Sequence, residues 1–303
     1  MADNLASMPE IVERDSRVTV ISGSDSIEFL NRSLSTNISD IAHLERIESV
    51  FCDQNGRIID IATLCRLEDK ILMLSQSRND IRQRIISGVS WSEDVSIVDA
   101  DNAISHFTMI GVHWRRALLG LGLDIDELES GKWVEFGNML VSYSIIMGGD
   151  SELLDFAIPK GEVGPVLGSL IDNGCAVIEN DRWNFTRTNL GLVCLTDAQG
   201  RIPFDVNLGK LIDLNKGCYP GQEIHARMES RGGISTQIVR LISETPIDVG
   251  RHRVEDIGRI EVVSSANSGQ YYASFAIVDN AEISNFEVEI AGIGARIEQI
   301  TVP

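Results

Sequence analysis

Apolar and polar positions alternate over residues 18–22 (VTVIS), the pattern of a half-buried strand, and the alternation breaks at Gly23-Ser24-Asp25. Asp25 and Glu28 have the spacing of a capping box, which predicts a helix carrying Ile27, Leu30 and Leu34 on one face. Two strands are expected at 49–52 and 58–66, separated by Asp53-Gln54-Asn55-Gly56, where Asn-Gly between apolar runs is a strong hairpin signal. A strand over 70–75 then leads into a helix over 78–87 with Ser77 as N-cap. Helix, hairpin, strand and helix in this order predict an α+β layer with helices on one face of an antiparallel sheet.

The pattern continues with strands near 95–98, 104–111 and 139–146 and a short helix near 114–120. Residues 152–178 read as a strand (Leu153–Ile158), a helix (162–172) stopped by Asn173-Gly174, and a strand (Ala176–Ile178), followed by a helix near 181–190. Residues 192–233 are rich in glycine, proline and polar residues and show few clear elements; so long an irregular stretch in a compact protein usually serves function. From 234 to 303 only strands are expected, at 235–243, 257–264, 270–278, 284–290 and 295–302, which predicts a small closed or sandwiched β-domain.

Composition narrows the function classes. The 303 residues correspond to two average domains or three small ones. The formal net charge of −19 disfavours attraction to nucleic-acid phosphates. No apolar run approaches the length of a membrane helix, and MADNLASMPEIVERD lacks the basic and apolar regions of a signal peptide, so a cytoplasmic protein is expected. Cys52, Cys65, Cys175, Cys194 and Cys218 include no CxxC pair and match no zinc or ferredoxin spacing, which predicts free thiols. Only five basic residues are lysines, and two of them, Lys210 and Lys216, lie near Cys218.

Lys216-Gly217-Cys218-Tyr219-Pro220-Gly221-Gln222-Glu223 is the densest concentration of candidate chemistry. A thiol beside a cation can hold its reactive thiolate form at neutral pH, and the two glycines permit unusual backbone conformations and close approach. A buried structural cysteine in a tight turn is the alternative reading. If the segment is helical, residues 218, 222 and 225 share a face and His225 can tune Cys218 or act as its base; a satisfied surface histidine is the simpler account. Asp60, a lone carboxylate in the apolar run GRIIDIATL, marks either a strand edge or ion pair, or an acid facing a cavity, where burial would raise its pKa. Ser22-Gly23-Ser24-Asp25 before a helix is a turn and cap rather than a phosphate site, and no HxxxH, HExxH or acidic cluster points to a metal.

These residues resemble the YgfZ-type folate-binding proteins, relatives of the glycine-cleavage T-protein (aminomethyltransferase). The family hallmark K-G-C-[FY]-x-G-Q-E is met at every fixed position by Lys216 to Glu223, and Ile224-His225-Ala226-Arg227, Arg231-Gly232, Ile202-Pro203 and Asn207-Leu208 resemble its flanking positions. Ile21 to Leu34 and Phe51 to Asp60 resemble the family more loosely, so the likeness spans residues 15–240 and is diffuse between 90 and 180. Two positions depart from true T-proteins: Asp60-Ile61 stands where they carry two adjacent acids, and Arg187-Thr188-Asn189-Leu190-Gly191 lacks the glutamate of their Arg-x-Glu-x-Gly, which grips the pterin. The loss of that glutamate and the presence of the KGCYPGQE motif itself count against aminomethyltransferase activity.

The resemblance implies a three-domain arrangement around a central channel that holds tetrahydrofolate. On this chain the expected domains are 1–48 plus 147–233, 49–146, and a C-terminal β-barrel or sandwich over 234–303. It implies catalytic roles for Cys218, Lys216 and Asp60, and folate contacts from Gly217, Tyr219, Gly221, Gln222, Glu223, Arg227 and Asn189. It further implies an accessory protein for assembly or repair of iron–sulfur enzymes, partnered by folate or a one-carbon derivative and by assembly factors or client enzymes, with an indirect effect on tRNA modification. Two other readings stay open: a folate-dependent one-carbon (aminomethyl or methyl) transferase with Asp60 as acid/base, and a structural protein with an inert Cys218.

Overall fold

The computed structural model describes residues 8–77, 81–146, 151–230, 236–255, 257–279 and 286–300. The chain divides into two compact units, the first formed by residues 1–51, 60–178 and 216–219, the second by 52–59, 179–215 and 220–303.

In chain order the first unit carries β1 (Glu10–Glu13), β2 (Arg17–Ser22), α1 (Ser26–Asn31), β3 (Arg46–Cys52), β4 (Ile58–Arg66), β5 (Lys70–Ser75), α2 (Ile81–Gly88), β6 (Ser96–Asp99), β7 (Ile104–Ile110), α3 (Trp114–Leu119), β8 (Lys132–Phe136), β9 (Met139–Ile146), β10 (Ser151–Pro159), α4 (Val163–Asp172) and β11 (Ala176–Val177). These strands form two sheets, β11-β1-β7-β10-β9-β8 and β3-β4-β5-β2-β6. β1 pairs with β11 in parallel, whereas β1–β7, β7–β10, β9–β10, β8–β9, β2–β5, β2–β6 and β4–β5 are antiparallel, in keeping with the α+β expectation. Within these sheets β2 pairs with β5 and β10 pairs with β9.

Side chains alternate across a strand, and the first sheet uses both faces. Phe107, Met109, Leu154, Phe156 and Ile158 join Trp114, Leu118 and Leu170 of α3 and α4 in one core. Leu140, Ala157 and Trp133 join Val18, Cys65, Leu72 and Leu74 of the second sheet in another. The Trp133 indole N–H donates to the Leu64 carbonyl at 3.2 Å, tying β8 to β4.

A buried polar knot sits on this second face. Asp155 lies opposite Thr108 and Ser142 in register, and its carboxylate accepts from Arg46 (2.6 Å), from the Thr108 hydroxyl (2.6 Å) and from His106 Nε2 (3.2 Å). His106 takes the Ser16 hydroxyl on Nδ1 at 2.8 Å, and Arg46 lies 5.8 Å from the centre of the Trp133 ring. Burial works against the Asp155 charge, but the Arg46 guanidinium and the His106 and Thr108 bonds outweigh it and hold the carboxyl well below the usual range. Burial pushes the His106 pKa down, so a neutral ring donates from Nε2 and accepts at Nδ1.

The second unit carries α5 (Asn180–Asn189), α6 (Leu195–Ala198), α7 (Gln222–Ser230), β12 (Thr236–Ser243), β13 (Gly250–Val254), β14 (Gly258–Asn267), β15 (Tyr272–Asp279), β16 (Phe286–Ile290) and β17 (Ile293–Gln299). Its antiparallel sheet has the order β13-β14-β15-β12-β17-β16, and the two edge strands β13 and β16 contact each other, which curls the sheet towards a barrel around Val239, Leu241, Ile260, Val262, Val278 and Ile297. The C-terminal strands form this sheet, with one strand beyond those expected, β13. α5 packs on β14 and β15, and its buried Arg187 pairs with Asp197 of α6 at 2.6 Å.

Three local expectations need correction or fall outside the described residues. Asp25 occupies the N-cap position of α1 but makes no side-chain cap bond; its carboxylate accepts the Asp94 N–H instead, at 2.8 Å. α2 starts at Ile81, and residues 78–80 of the expected helix are not among those described. Arg231-Gly232 and the boundary near 233 also lie outside them.

Candidate functional site

The octapeptide divides between the units, Lys216–Tyr219 belonging to the first and Pro220–Glu223 to the second. In the first unit the Lys216 ammonium is buried and donates to the carbonyls of Leu34 (2.9 Å) and Thr36 (2.6 Å), 5.7 Å from the centre of the buried Tyr219 ring. These contacts make Lys216 and Tyr219 the anchors of the segment. Between them Gly217 and Cys218 are exposed. The buried structural cysteine considered from the sequence is therefore not what this position holds.

All five cysteines are free thiols. Burial pushes Cys52, Cys65 and Cys175 up to about 12, and raises Cys194 as well, which closes those four to thiolate chemistry near neutral pH.

In the second unit Gly221 has φ +85°, and a Cβ there would lie 2.4 Å from Gly56 Cα and 2.8 Å from the Asp53 carbonyl oxygen. The 53–56 turn is the hairpin the Asn-Gly pair predicts: Gly56 has φ +71°, and Asp53 Oδ1 accepts the N–H groups of Asn55 (2.8 Å) and Arg57 (2.9 Å). His225 fixes the same contact from α7. It is fully buried, with Nε2 2.8 Å from the Gly56 carbonyl and its ring edge-on to Phe204. Burial lowers its pKa, so the neutral ring donates Nε2–H to that carbonyl. His225 is thus neither a surface histidine nor a partner of Cys218 on one helix, because α7 begins at Gln222 and leaves residue 218 outside it.

Of the expected folate contacts, Gln222 is half-buried with its amide on the Leu214 carbonyl (3.4 Å), while Glu223 and Arg227 are exposed on α7. Asn189 is half-buried at the last position of α5, and the Arg187 two residues before it is committed to Asp197. Asn207, in the expected Asn-Leu pair, adopts φ +61° after the turn Pro203–Val206 and donates to the Ile300 carbonyl.

Asp60 is fully buried in β4 of the first unit. Its Oδ1 accepts the N–H groups of Ile61 (2.8 Å) and Gln76 (3.1 Å), and its Oδ2 has no hydrogen-bond partner. Burial dominates and pushes the carboxyl up to about 7, against the Ile61, Ser77 and Gln76 N–H groups and the Ser75 hydroxyl, which favour its charged form. Two further buried hydroxyls share its sheet face: Ser75 Oγ, which lies against the Asp60 carboxyl, and Thr19 Oγ1, which has no partner. Ala62 pairs with Ser75 and Thr19 with Met73, so period-two alternation puts Asp60, Ser75 and Thr19 on one side. Buried polar atoms are nearly always bonded, so the unpartnered Asp60 Oδ2 and Thr19 Oγ1 on one face mark a place built for polar contact. Sequence reasoning found Asp60 as a carboxylate in an apolar run but missed the hydroxyls, since serine and threonine are ordinary strand residues.

Among the described residues no group of three or more His, Cys, Asp or Glu side chains is placed to hold a metal ion, and no helix is long and apolar enough to cross a membrane.

Comparison with known proteins fits the architecture. The glycine cleavage system aminomethyltransferase T from Bartonella henselae superposes with a TM-score of 0.82 at 17% identity, over 98% of this chain and 86% of that one. The heterotetrameric sarcosine oxidase from Corynebacterium sp. U-96 is a partial likeness, with a TM-score of 0.38 at 14% identity over 54% of this chain and 82% of that one. A chloroplastic protein of Arabidopsis thaliana, whose name assigns it provisionally to the transferases, is 22% identical over 258 residues, 82% of this chain. The chain spans 60% of that relative's length. No family model matches the chain. What the likeness establishes is the fold: this chain is folded like the T component of the glycine cleavage system.

Proposed function

We propose that the protein binds tetrahydrofolate or a one-carbon derivative and takes part in one-carbon transfer, with Asp60 as the acid/base facing the ligand. The observation that carries this reading is the orphaned, fully buried Asp60 Oδ2, in a carboxyl raised to about 7 and set in a T-protein fold. A group with that pKa exchanges a proton near neutral pH, as a general acid/base must. A reduced pterin bears N–H donors that suit an unpartnered carboxylate oxygen, and the hydroxyls of Ser75 and Thr19 can donate or accept beside it. Bound folate would supply the nitrogen that carries the one-carbon unit; Asp60 would hold or release the proton there. Calorimetric titration with tetrahydrofolate and its formyl derivative tests the reading, with saturable binding to wild type that Asp60→Asn weakens at least tenfold. No heat of binding for either ligand would overturn it.

A second reading has its own support, in the exposure of Cys218 on a segment anchored by Lys216 and Tyr219. In this reading the protein serves iron–sulfur enzymes in the cytoplasm, with assembly factors or client enzymes as partners of the thiol and tRNA modification supported indirectly. Complementation of a strain lacking its YgfZ-type protein decides it: Cys218→Ser is expected to fail, and full rescue by that variant would remove the thiol from the mechanism.

A further inference from the structure

Three of the four tryptophans, Trp114, Trp133 and Trp183, are buried, whereas Trp91 is 97% exposed. It sits in the turn between α2 and β6 of the first unit. That turn is pinned rather than loose. The Glu93 N–H donates to the Ser90 carbonyl (3.0 Å), the Ser90 N–H returns to Glu93 Oε2 (2.7 Å), and Arg32 clamps the same carboxylate (2.7 Å). Asp94 adds a second tie: its N–H donates to Asp25 Oδ2 (2.8 Å), and its Oδ2 accepts the Ser24 N–H (2.9 Å) and hydroxyl (3.1 Å). The Asp94 carbonyl presses on Gly23, where a Cβ would come within 2.1 Å of it, so this seat admits only glycine.

We propose that Trp91 is the docking point for a partner protein that presents an arginine side chain from a basic segment. Tryptophan is enriched among residues that dominate interface energies, and an indole held on a fixed turn loses little freedom on binding. An arginine guanidinium stacks on an indole face through cation–π attraction. The surroundings favour a cation: Glu93 and Asp94 lie in the same turn as the indole, Asp94 is tied to Asp25, and Glu93, Glu28 and Asp25 outnumber the one guanidinium, Arg32, that they surround. The bonds from Arg32 and Ser24 keep Glu93 and Asp94 below the usual carboxylate range, so the collar stays ionised at neutral pH. A second copy of this chain is the poorer occupant, because two molecules of net charge −19 repel.

The test uses the full chain with isotope-labelled indoles, assigned by single Trp→Phe variants. It is titrated with a peptide of alternating arginine and glycine, and with the same peptide carrying neutral citrulline for arginine. The Trp91 indole N–H resonance is expected to move and saturate while the three buried indoles stay still, with the citrulline peptide at least tenfold weaker. Calorimetry with the arginine peptide is expected to show at least a tenfold rise in Kd for Trp91→Ala. Equal affinity of wild type and Trp91→Ala would overturn the proposal, leaving only the general acidity of the chain as the attraction. A concentration-dependent dimer in sedimentation that Trp91→Ala dissolves would also overturn it, by assigning the indole to self-association.

Discussion

Gly221 and Gly56 meet backbone to backbone, so closely that a Cβ on Gly221 would lie 2.4 Å from Gly56 Cα. The contact joins the hallmark segment to the Asn-Gly turn, and His225 closes it with a bond to the Gly56 carbonyl. Gly221→Ala would carry both this clash and a side chain at φ +85°. The expected loss is on the order of 2–4 kcal/mol, read as a lower urea midpoint. Gly217→Ala is the control, since nothing lies within 4 Å of its Cβ position. Its effect should stay within about 0.5 kcal/mol.

Asp60 makes stability fall with rising pH. Its folded pKa is raised to about 7, well above the ordinary aspartate value of ~3.9, so the folded state holds a proton that the unfolded chain has already released. The contribution is therefore whole below the unfolded value and declines as pH rises through the folded one. Asp60→Asn, which cannot ionise, is expected to gain on wild type over this window, by roughly 4 kcal/mol at its upper end. Urea unfolding of both proteins at mildly acidic and mildly alkaline pH checks this. Parallel pH profiles would mean that Asp60 is not buried as described.

The Arg46–Asp155 pair works in the other direction. Because the Asp155 pKa is depressed, its stabilisation is present above the unfolded carboxylate value and is lost as pH falls towards the folded one. Asp155→Ala leaves Arg46 buried without its main partner, which typically costs about 3–5 kcal/mol. Thermal melts should show that loss at neutral pH. Replacing Arg46 and Asp155 together by methionine and leucine should recover most of it.

Thiol accessibility separates Cys218 from the rest. Native protein mixed with a thiol-reactive chromophore is expected to show one fast equivalent, with the others appearing only on unfolding, and Cys218→Ser should abolish the fast phase at unchanged stability. Lys216→Met should keep the thiol reactive but destabilise the protein by roughly 1–3 kcal/mol, because the Leu34 and Thr36 carbonyls lose a charged donor. A fast phase that persists in Cys218→Ser would shift attention to half-buried Cys194.

Much of the strand framework could be read from alternation alone, as VTVIS became β2 and KILMLS became β5. β13 was hidden because GRHRV has no apolar alternation; it forms by pairing with β14. The Asp25 capping box failed for a tertiary reason, since the Asp94 N–H took the carboxylate that the pattern assigns to α1. At the site, Asp60 stood out as a carboxylate where its neighbours are apolar. The burial of His225 left no local trace, because its partner Gly56 is 169 residues away.

The two-faced sheet in the first unit also makes Asp155 a register key. Its neighbours Leu154 and Phe156 point into the apolar core with α3 and α4, while Asp155 points to Arg46. Sliding β10 by one residue would drive the carboxylate among Trp114, Leu118 and Leu170 and set a phenylalanine against the guanidinium. A misaligned strand therefore pays twice, so one register of β10 is set apart from its neighbours by both faces at once.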